Sequence, residues 1–241
     1  MNALQISKGR KARLAGLAVI AVLLVGWIVN GLAEQGQQVR VDINALIHET
    51  QKTSQYASEM TLVWWIPEEY WRVSCAQDAT IPSAQVEQLI KVIRPYTLVI
   101  VVDGRKGPGG TITYTSEAVI RATIAMKDRN GTVYRPLGED KVGDEVRQFL
   151  SIVKPILAGG LGPMGQNMHF FLFPAANQKG EPIAQPRKEG AFSIRLAGRE
   201  FRWRLPLGSL LAPKMCPGCK EKCSGAWNFC PWCGTMLPKW I

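Results

Sequence analysis

Histidine is scarce in this chain, which has only two among its 241 residues. The motifs G-x-S-x-G and H-E-x-x-H are also missing, so the sequence has neither the nucleophile turn of many hydrolases nor the two-histidine helix of many zinc proteases. A glycine-rich segment at 104–111, GRKGPGGT, places its lysine before the glycines. That order is wrong for a phosphate-binding loop. With no catalytic motif, the sequence favours a binding role over an enzymatic one.

Cysteine is limited as well. Six cysteines in a chain of this length are too few for a small disulfide-stapled protein. A hydrophobic content of 46% is too high for a disordered chain. The length suffices for one large domain or two small ones with a buried core.

The net charge of +10 is concentrated at the two ends of the chain. Residues 1–33 contain four basic and no acidic residues, and residues 185–241 contain ten basic and three acidic ones. The 15 basic and 16 acidic residues between them nearly cancel. A general attraction to polyanions would need a basic body, so nucleic acid is not the expected partner.

A long apolar run follows the first basic cluster. Residues 14–29, LAGLAVIAVLLVGWIV, carry no charge. Extended to 12–33, the run reaches about the length that spans a bilayer as a helix. The basic residues before it place the N-terminus in the cytoplasm by the positive-inside rule. We therefore expect residues 1–33 to form a single-pass signal anchor, and the body to be exported to the cell envelope.

Two other interpretations of this run stay open. Small residues at Gly31 and Ala33 fit a signal peptide that is cleaved after Ala33, which would leave a secreted or periplasmic protein. A buried core helix is the third interpretation, and the adjacent basic cluster argues against it.

The body, residues 34–184, shows a mixed order of elements. β-Branched and aromatic runs predict strands, and apolar residues at helical spacing predict helices. Strands are expected over 61–66, 98–102 and 169–173, helices over 83–93 and 144–157, and a hairpin with strands at 118–126 and 132–134. Strand and helix do not alternate regularly, so we expect an α+β fold and not a doubly wound parallel sheet.

Few residues of the body point to chemistry. Cys75 could act as a nucleophile with His169, but nothing in the sequence brings the two together. A buried thiol and a half-buried histidine are the simpler interpretations. Four aromatic residues also lie close together in the sequence, Trp64, Trp65, Tyr70 and Trp71. They fit core packing, and a binding platform for a ligand or partner is the alternative.

Residues 185–213 predict a basic β-hairpin that either stands alone or belongs to the main domain. Its strands alternate apolar and polar residues, so one face is apolar and the other carries Arg195, Arg202 and Arg204. Solvation of these charges is the simplest interpretation. A face that binds phosphates or acidic chains is the alternative.

The clearest motif lies near the C-terminus. Cys216-Pro-Gly-Cys219 and Cys230-Pro-Trp-Cys233 are separated by ten residues. Two C-x-x-C turns can place four thiolates around one tetrahedral zinc ion. Residues 214–238 resemble a short zinc ribbon with rubredoxin-like knuckles. The resemblance implies that Cys216, Cys219, Cys230 and Cys233 bind a structural zinc ion, which allows a tail with little apolar core to fold.

Other uses of these cysteines stay open. The second C-x-x-C alone could form a redox pair, although too few residues follow it to build a thioredoxin-like fold. Two disulfides are another alternative, and export to an oxidising compartment favours them. Cys223 lies outside the pattern and could replace one of the four ligands.

The combined prediction is a membrane-anchored binding or scaffolding protein of the cell envelope, with a protein partner. It divides the chain into an anchor (1–33), an exported α+β domain (34–184), the basic hairpin (185–213) and a zinc-ribbon tail (214–241). An envelope enzyme with thiol-redox or hydrolytic chemistry, using Cys75, His169 or the C-x-x-C pairs, is the alternative. A nucleic-acid binder that uses the ribbon and the arginine face is the second alternative.

Overall fold

A computed structural model describes residues 41–239 of the chain. Its helices are α1 (Ile43–Thr50), α2 (Glu68–Cys75), α3 (Ser83–Ile93), α4 (Glu117–Thr123) and α5 (Asp144–Gly160). Its strands are β1 (Gln51–Thr53), β2 (Leu62–Ile66), β3 (Tyr96–Val102), β4 (Gly104–Lys106), β5 (Ile112–Tyr114), β6 (Ala125–Lys127), β7 (Val133–Tyr134), β8 (His169–Pro174), β9 (Gly190–Leu196), β10 (Arg199–Leu205), β11 (Lys214–Met215) and β12 (Lys222–Cys223).

Most of these strands form two four-stranded antiparallel sheets. The first sheet has the order β1-β2-β3-β8, and the second has the order β10-β9-β6-β7. The short hairpins β4-β5 and β11-β12 lie outside them. The central strands β2 and β3 of the first sheet are buried along almost their whole length. A strand that is buried on both faces is a continuous apolar run, which explains why both were visible in the sequence.

Aromatic rings join the two sheets. Trp65 of β2 meets Phe192 of β9 edge to face, with ring centroids 4.8 Å apart, and Phe192 stacks on Trp203 of β10 at 4.9 Å. Thr50, at the end of α1, holds two indoles in place. Its Oγ1 accepts a hydrogen bond from Trp64 Nε1, and its carbonyl accepts one from Trp203 Nε1, each at 3.1 Å. The apolar face of the β9-β10 hairpin therefore belongs to the same core as the first sheet.

The first strand of the predicted hairpin, 118–126, is mostly a helix. Residues 117–123 form α4, and β6 begins only at Ala125. The Asn130-Gly131 turn predicted a strand on each side of it. The hairpin is present, since β6 pairs with β7, but its first strand is shorter than predicted. Ile120 within the helix and Ile124 directly after it are both fully buried, so packing in the tertiary structure determines this stretch.

The predicted fold class needs correction. We expected an α+β domain between an N-terminal transmembrane helix and a β-rich tail. The structure instead describes a mixed α/β globular fold, and within residues 41–239 no helix is both long and apolar enough to cross a membrane. α5, the longest helix of this part with 17 residues, carries four charged side chains. The run at 12–33, on which the transmembrane prediction rested, lies outside the described residues, so the predicted membrane anchor has no support.

A partly buried ion-pair network ties the β9-β10 hairpin to the first sheet. Arg199 donates hydrogen bonds to Glu59 at 3.0 Å, to Thr61 at 2.6 Å and to Asp103 at 2.7 Å. The hydroxyls of Thr61 and Thr115 also donate to Asp103, at 2.7 and 2.9 Å. Burial alone would raise the pKa of Asp103, but these hydrogen bonds lower it on balance.

Replacing Arg199 with alanine would leave Asp103 buried without its charge partner. We expect Arg199→Ala to reduce the free energy of unfolding by about 3 kcal/mol, because the remaining charge is uncompensated. Arg202→Ala is the matched control, since Arg202 lies on the same strand with a side chain that is 75% exposed. We expect that control to change the free energy of unfolding by less than about 1 kcal/mol. Urea unfolding followed by tryptophan fluorescence measures both, and equal losses would contradict the network.

The same network predicts that stability falls in acid. The pKa of Asp103 is lower in the folded protein than in the unfolded chain. Its contribution is therefore complete above the unfolded pKa of about 4 and disappears as the pH falls through the lower folded value. Below about pH 5 we expect the free energy of unfolding to decrease more steeply in the wild type than in Asp103→Asn. Parallel pH profiles for the two proteins, measured by urea unfolding, would show that Asp103 has no such role.

Candidate metal centre

The two C-x-x-C loops of the C-terminal tail have the same pattern of backbone hydrogen bonds. In the first loop, the N–H of Lys220 donates to the carbonyl of Cys216 at 3.0 Å, and in the second, the N–H of Gly234 donates to the carbonyl of Cys230 at 2.9 Å. The N–H of each first cysteine also donates to the carbonyl five residues later, at 2.9 and 2.8 Å. Each C-x-x-C segment is thus closed into a tight turn by its own backbone.

The residue after the second cysteine of each loop has a left-handed backbone conformation. The φ angle is 64° at Lys220 and 72° at Gly234. Glycine adopts this conformation without steric cost, whereas a side chain makes it unfavourable. Gly234 therefore adopts this conformation without strain in the second loop, whereas Lys220 adopts it at a steric cost in the first loop.

The two loops bring four sulfur atoms together. The Sγ atoms of Cys216, Cys219, Cys230 and Cys233 all lie within 4.8 Å of one another. The closest pairs connect the loops, with 3.5 Å from Cys216 to Cys233 and from Cys219 to Cys230. Ligands of a tetrahedral zinc ion are about 3.8 Å apart, since each Zn–S bond is about 2.3 Å long. The cluster is therefore compatible with a zinc-binding knot.

None of the cysteines is in a disulfide. All six are free thiols, and a separation of 3.5 Å is far longer than an S–S bond of about 2.05 Å. Cys216 and Cys230, the first cysteine of each loop, are buried, whereas Cys219 and Cys233 are exposed. Cys223 is buried next to the cluster, but its Sγ contacts the carbonyl of Glu221 at 3.6 Å and the residue is not part of the group of four.

Within the cluster, the pKa of Cys233 is lowered and the pKa of Cys219 is raised. Thr235 lies 3.2 Å from the Sγ of Cys233, and hydrogen bonds with its side chain and backbone lower the pKa of Cys233 to about 6. A backbone hydrogen bond at Glu221 favours the thiolate of Cys219, but desolvation and the neighbouring thiols raise the pKa of Cys219 to about 12. Crowded sulfur atoms without a cation thus oppose the ionisation of all four together.

The apolar core of the tail is very small. Among residues 214–239, its buried cluster consists of Cys216, Cys223, Cys230 and Leu237. Core burial on this scale does not hold a small unit together, and natural proteins of this size add disulfides or a metal ion. Three of the four core side chains are cysteines, so the packing of the tail and the cysteine cluster are the same feature.

The tail rests on the body through the segment before it. A Cβ atom at Gly225 would lie 2.5 Å from both the Cβ of Leu211 and the carbonyl of Ala212, so the backbone approaches there closely enough to require glycine. The carboxylate of Glu49 in α1 accepts hydrogen bonds from the backbone N–H groups of Gly208 and Ser209, each at 2.9 Å. The Glu49 contacts attach residues 208–209, which precede the tail, to the C-terminal end of α1.

The predicted arginine face is solvent-exposed but divided by an acid. Arg195, Arg202 and Arg204 are all exposed. Glu200 lies across from Arg195 in the β9-β10 register and forms an ion pair with Arg202. Hydrogen bonds from Lys127, Arg202 and Ser193 lower the pKa of Glu200 to about 2, so it stays ionised. This negative charge weakens the face as an anion site, and its role in binding stays a prediction.

The other suggested residues have separate surroundings. His169 is half-buried at the start of β8, with its Nδ1 3.6 Å from Glu117, which is too long for a hydrogen bond. Burial lowers the pKa of His169. Cys75 is half-buried at the end of α2, where burial raises the pKa of its thiol. Neither environment favours a thiolate nucleophile with an imidazole base.

The exposed large side chains of the tail were not predicted from the sequence. Trp227, Phe229, Trp232 and Met236 are exposed to 42%, 58%, 62% and 64%, respectively. We refer to these four residues as the aromatic surface. The rings of Trp227 and Trp232 are in contact, with centroids 6.1 Å apart, and Phe229 pairs with Met236 in a β-bridge. A signal was present, because four large apolar residues in a tail with so small a core cannot all be buried.

Comparison with known proteins gives no relative. No family model matches the chain, and neither a curated protein nor a solved structure matches it. The functional interpretation therefore depends on the geometry of the site.

Replacing Cys230 with serine would remove a buried member of the sulfur cluster. We expect Cys230→Ser to abolish metal binding and to make the tail sensitive to proteolysis, because the tail has little other core. The urea transition of the body should remain. Elemental analysis and limited proteolysis measure both effects.

Two control variants separate the cluster from other cysteines. Cys75→Ser should keep the full metal content, since Cys75 lies on α2. Cys223→Ser should also keep it, because Cys223 is outside the group of four. Loss of metal in Cys223→Ser but not in Cys230→Ser would contradict the ligand set.

Proposed function

We propose that this protein is a binding or scaffolding protein whose C-terminal tail is folded around a structural zinc ion and binds a protein partner. The observation that carries the proposal is the convergence of four thiols in a tail that keeps its large aromatic side chains at the surface. The metal replaces the core that those side chains would otherwise have formed.

The donor set supports zinc in a structural role. Four cysteine sulfurs at tetrahedral spacing suit Zn²⁺, which has no geometric preference of its own to violate. Four protein ligands leave no open position for water or substrate, so the ion would not act as a catalyst. Iron is the other metal that four thiolates hold in a tetrahedron, and its colour and elemental signal distinguish it.

The aromatic surface is the part of the tail that fits a partner. Large exposed aromatic side chains are costly to leave in water, and tryptophan is enriched among the residues that dominate protein interfaces. The zinc knot would hold the backbone of Trp227, Phe229 and Trp232 rigid, since these residues lie within or directly before the second loop. A rigid aromatic group binds with a smaller loss of conformational entropy.

The charges of the tail indicate the chemistry of the partner. Lys220, Lys222 and Lys239 are exposed in the tail, and Glu221 is the one acidic residue among residues 214–239. An apolar protein segment flanked by aspartate or glutamate complements this arrangement. A nucleic acid would be expected to use the arginine face as well, and Glu200 interrupts that face.

Selection from a random peptide library on the zinc-loaded protein tests this function. We expect enriched peptides that combine large apolar residues with acidic ones. Combined replacement of Phe229 and Trp232 by alanine should weaken their binding at least tenfold. Tyr56→Ala is the matched control, because Tyr56 is also an exposed aromatic residue, at 68%, but lies outside the tail. It should leave the affinity within twofold.

Three results would contradict the proposed function. The library could yield no enriched peptides, or the bound peptides could be insensitive to the Phe229 and Trp232 replacements. Single-stranded oligonucleotides or anionic lipid vesicles could also bind in place of peptides and depend on the same two residues. Either of the last two ligands would assign the aromatic surface to another class of partner.

A further inference from the structure

A cavity of about 390 Å³ lies beside the first sheet, far along the chain from the cysteine tail. α2, β3 and α5 supply its walls together with residues 175–186. Most of the lining is apolar, with Trp65, Trp71, Leu98, Val146 and Leu172 among the lining residues. This volume is within the range of sites that bind small organic molecules.

One buried carboxylate lines this apolar cavity. The side chain of Glu69, in the first turn of α2, is only 10% exposed. Its Oε1 lies 3.4 Å from Nε of Arg187. Its Oε2 is buried and has no hydrogen-bond partner among the described residues. A buried acceptor without a donor costs about 1–3 kcal/mol, and more when the group is charged.

The neighbouring glutamate, Glu68, has a different environment. It contacts Arg72 at 3.4 Å and Arg94 at 3.2 Å, and all three side chains are about one-third or more exposed. The side chain of Glu69 is buried, and this burial raises the pKa of its carboxyl. The contact with Arg187 offsets only part of the cost of burial, because it reaches Oε1 and leaves Oε2 without a donor.

The unpaired oxygen of Glu69 favours a ligand that donates a hydrogen bond over an anion. Arg187 contacts Oε1 of Glu69, but no guanidinium group of the described residues donates to its Oε2. The indoles of Trp65 and Trp71 also line the cavity, and aromatic rings attract cations. An ammonium group can supply the donor that Oε2 of Glu69 lacks, and an attached hydrocarbon can fill the apolar space.

We propose that this cavity is a binding site for a small organic ammonium compound, with the ammonium group on Glu69 and an aryl or alkyl group against Trp65 and Trp71. This site is separate from the tail and does not depend on its zinc ion or its partner. Its occupant would be a small molecule with one amino group and a hydrocarbon part of about eight carbons, since larger polar groups find few partners in the walls.

Titration of the full-length protein with phenethylamine tests the proposal, with tryptophan fluorescence and calorimetry as readouts. We expect saturable binding. Glu69→Gln should weaken it at least tenfold, because an amide keeps the shape but loses the charge. Glu87→Gln is the matched control, because Glu87 lies on the adjacent helix α3, pairs with Arg72 and does not line the cavity, and it should stay within twofold. 3-Phenylpropanoate, which has a carboxylate in place of the ammonium group, should not bind measurably.

A second variant keeps the test decisive if Glu69→Gln disturbs the fold. Ala184 also lines the cavity, and Ala184→Leu reduces its volume while Glu69 is kept. We expect loss of phenethylamine binding with an unchanged circular dichroism spectrum. The proposal is overturned by the absence of binding at millimolar phenethylamine, by equal affinity for 3-phenylpropanoate, or by binding that neither Glu69→Gln nor Ala184→Leu weakens.

Discussion

The mutual approach of four cysteine sulfurs is the constraint on which the C-terminal tail depends. They lie within 4.8 Å of one another in a segment whose buried cluster, in the part that the structure describes, otherwise contains only Cys223 and Leu237. Hydrophobic burial on that scale cannot offset the conformational entropy of ordering the chain. Backbone turns set the sulfur positions, and a metal ion would supply the missing free energy. Because this energy does not come from apolar side chains, the tail can present Trp227, Phe229 and Trp232 to solvent.

The body is stabilised by a different means. Two antiparallel sheets share one core, and the ring contacts from Trp65 through Phe192 to Trp203 cross between them. The Arg199 network closes the same junction at its polar end. The segment that leads into the tail is attached to the body where the backbone N–H groups of Gly208 and Ser209 donate to the carboxylate of Glu49. Loss of the metal is therefore compatible with a body that remains folded.

Sequence patterns correctly predicted the helices and strands whose residues are determined by a single physical factor, such as burial. The helix over 83–93 and the runs of β2, β3 and β8 agree with the structure because burial sets their residues directly. The cysteine spacing predicted the group of four because each turn is local. Prediction failed where distant contacts decide. Helix α4 was taken for a strand, since only the core shows why Ile120 and Ile124 are buried together. The burial of Glu69 was invisible for the same reason, because it depends on walls from four separate segments.

In the proposed zinc site, four cysteine sulfurs hold one ion and leave no open coordination position. X-ray absorption at the zinc edge, measured on the purified full-length protein, counts and identifies the ligands. We expect one zinc ion per chain, surrounded by four sulfur atoms at about 2.3 Å and by no nitrogen or oxygen ligand. A protein without zinc whose tail cysteines are in disulfides, or a zinc ion with fewer than four sulfur ligands, would rule this site out.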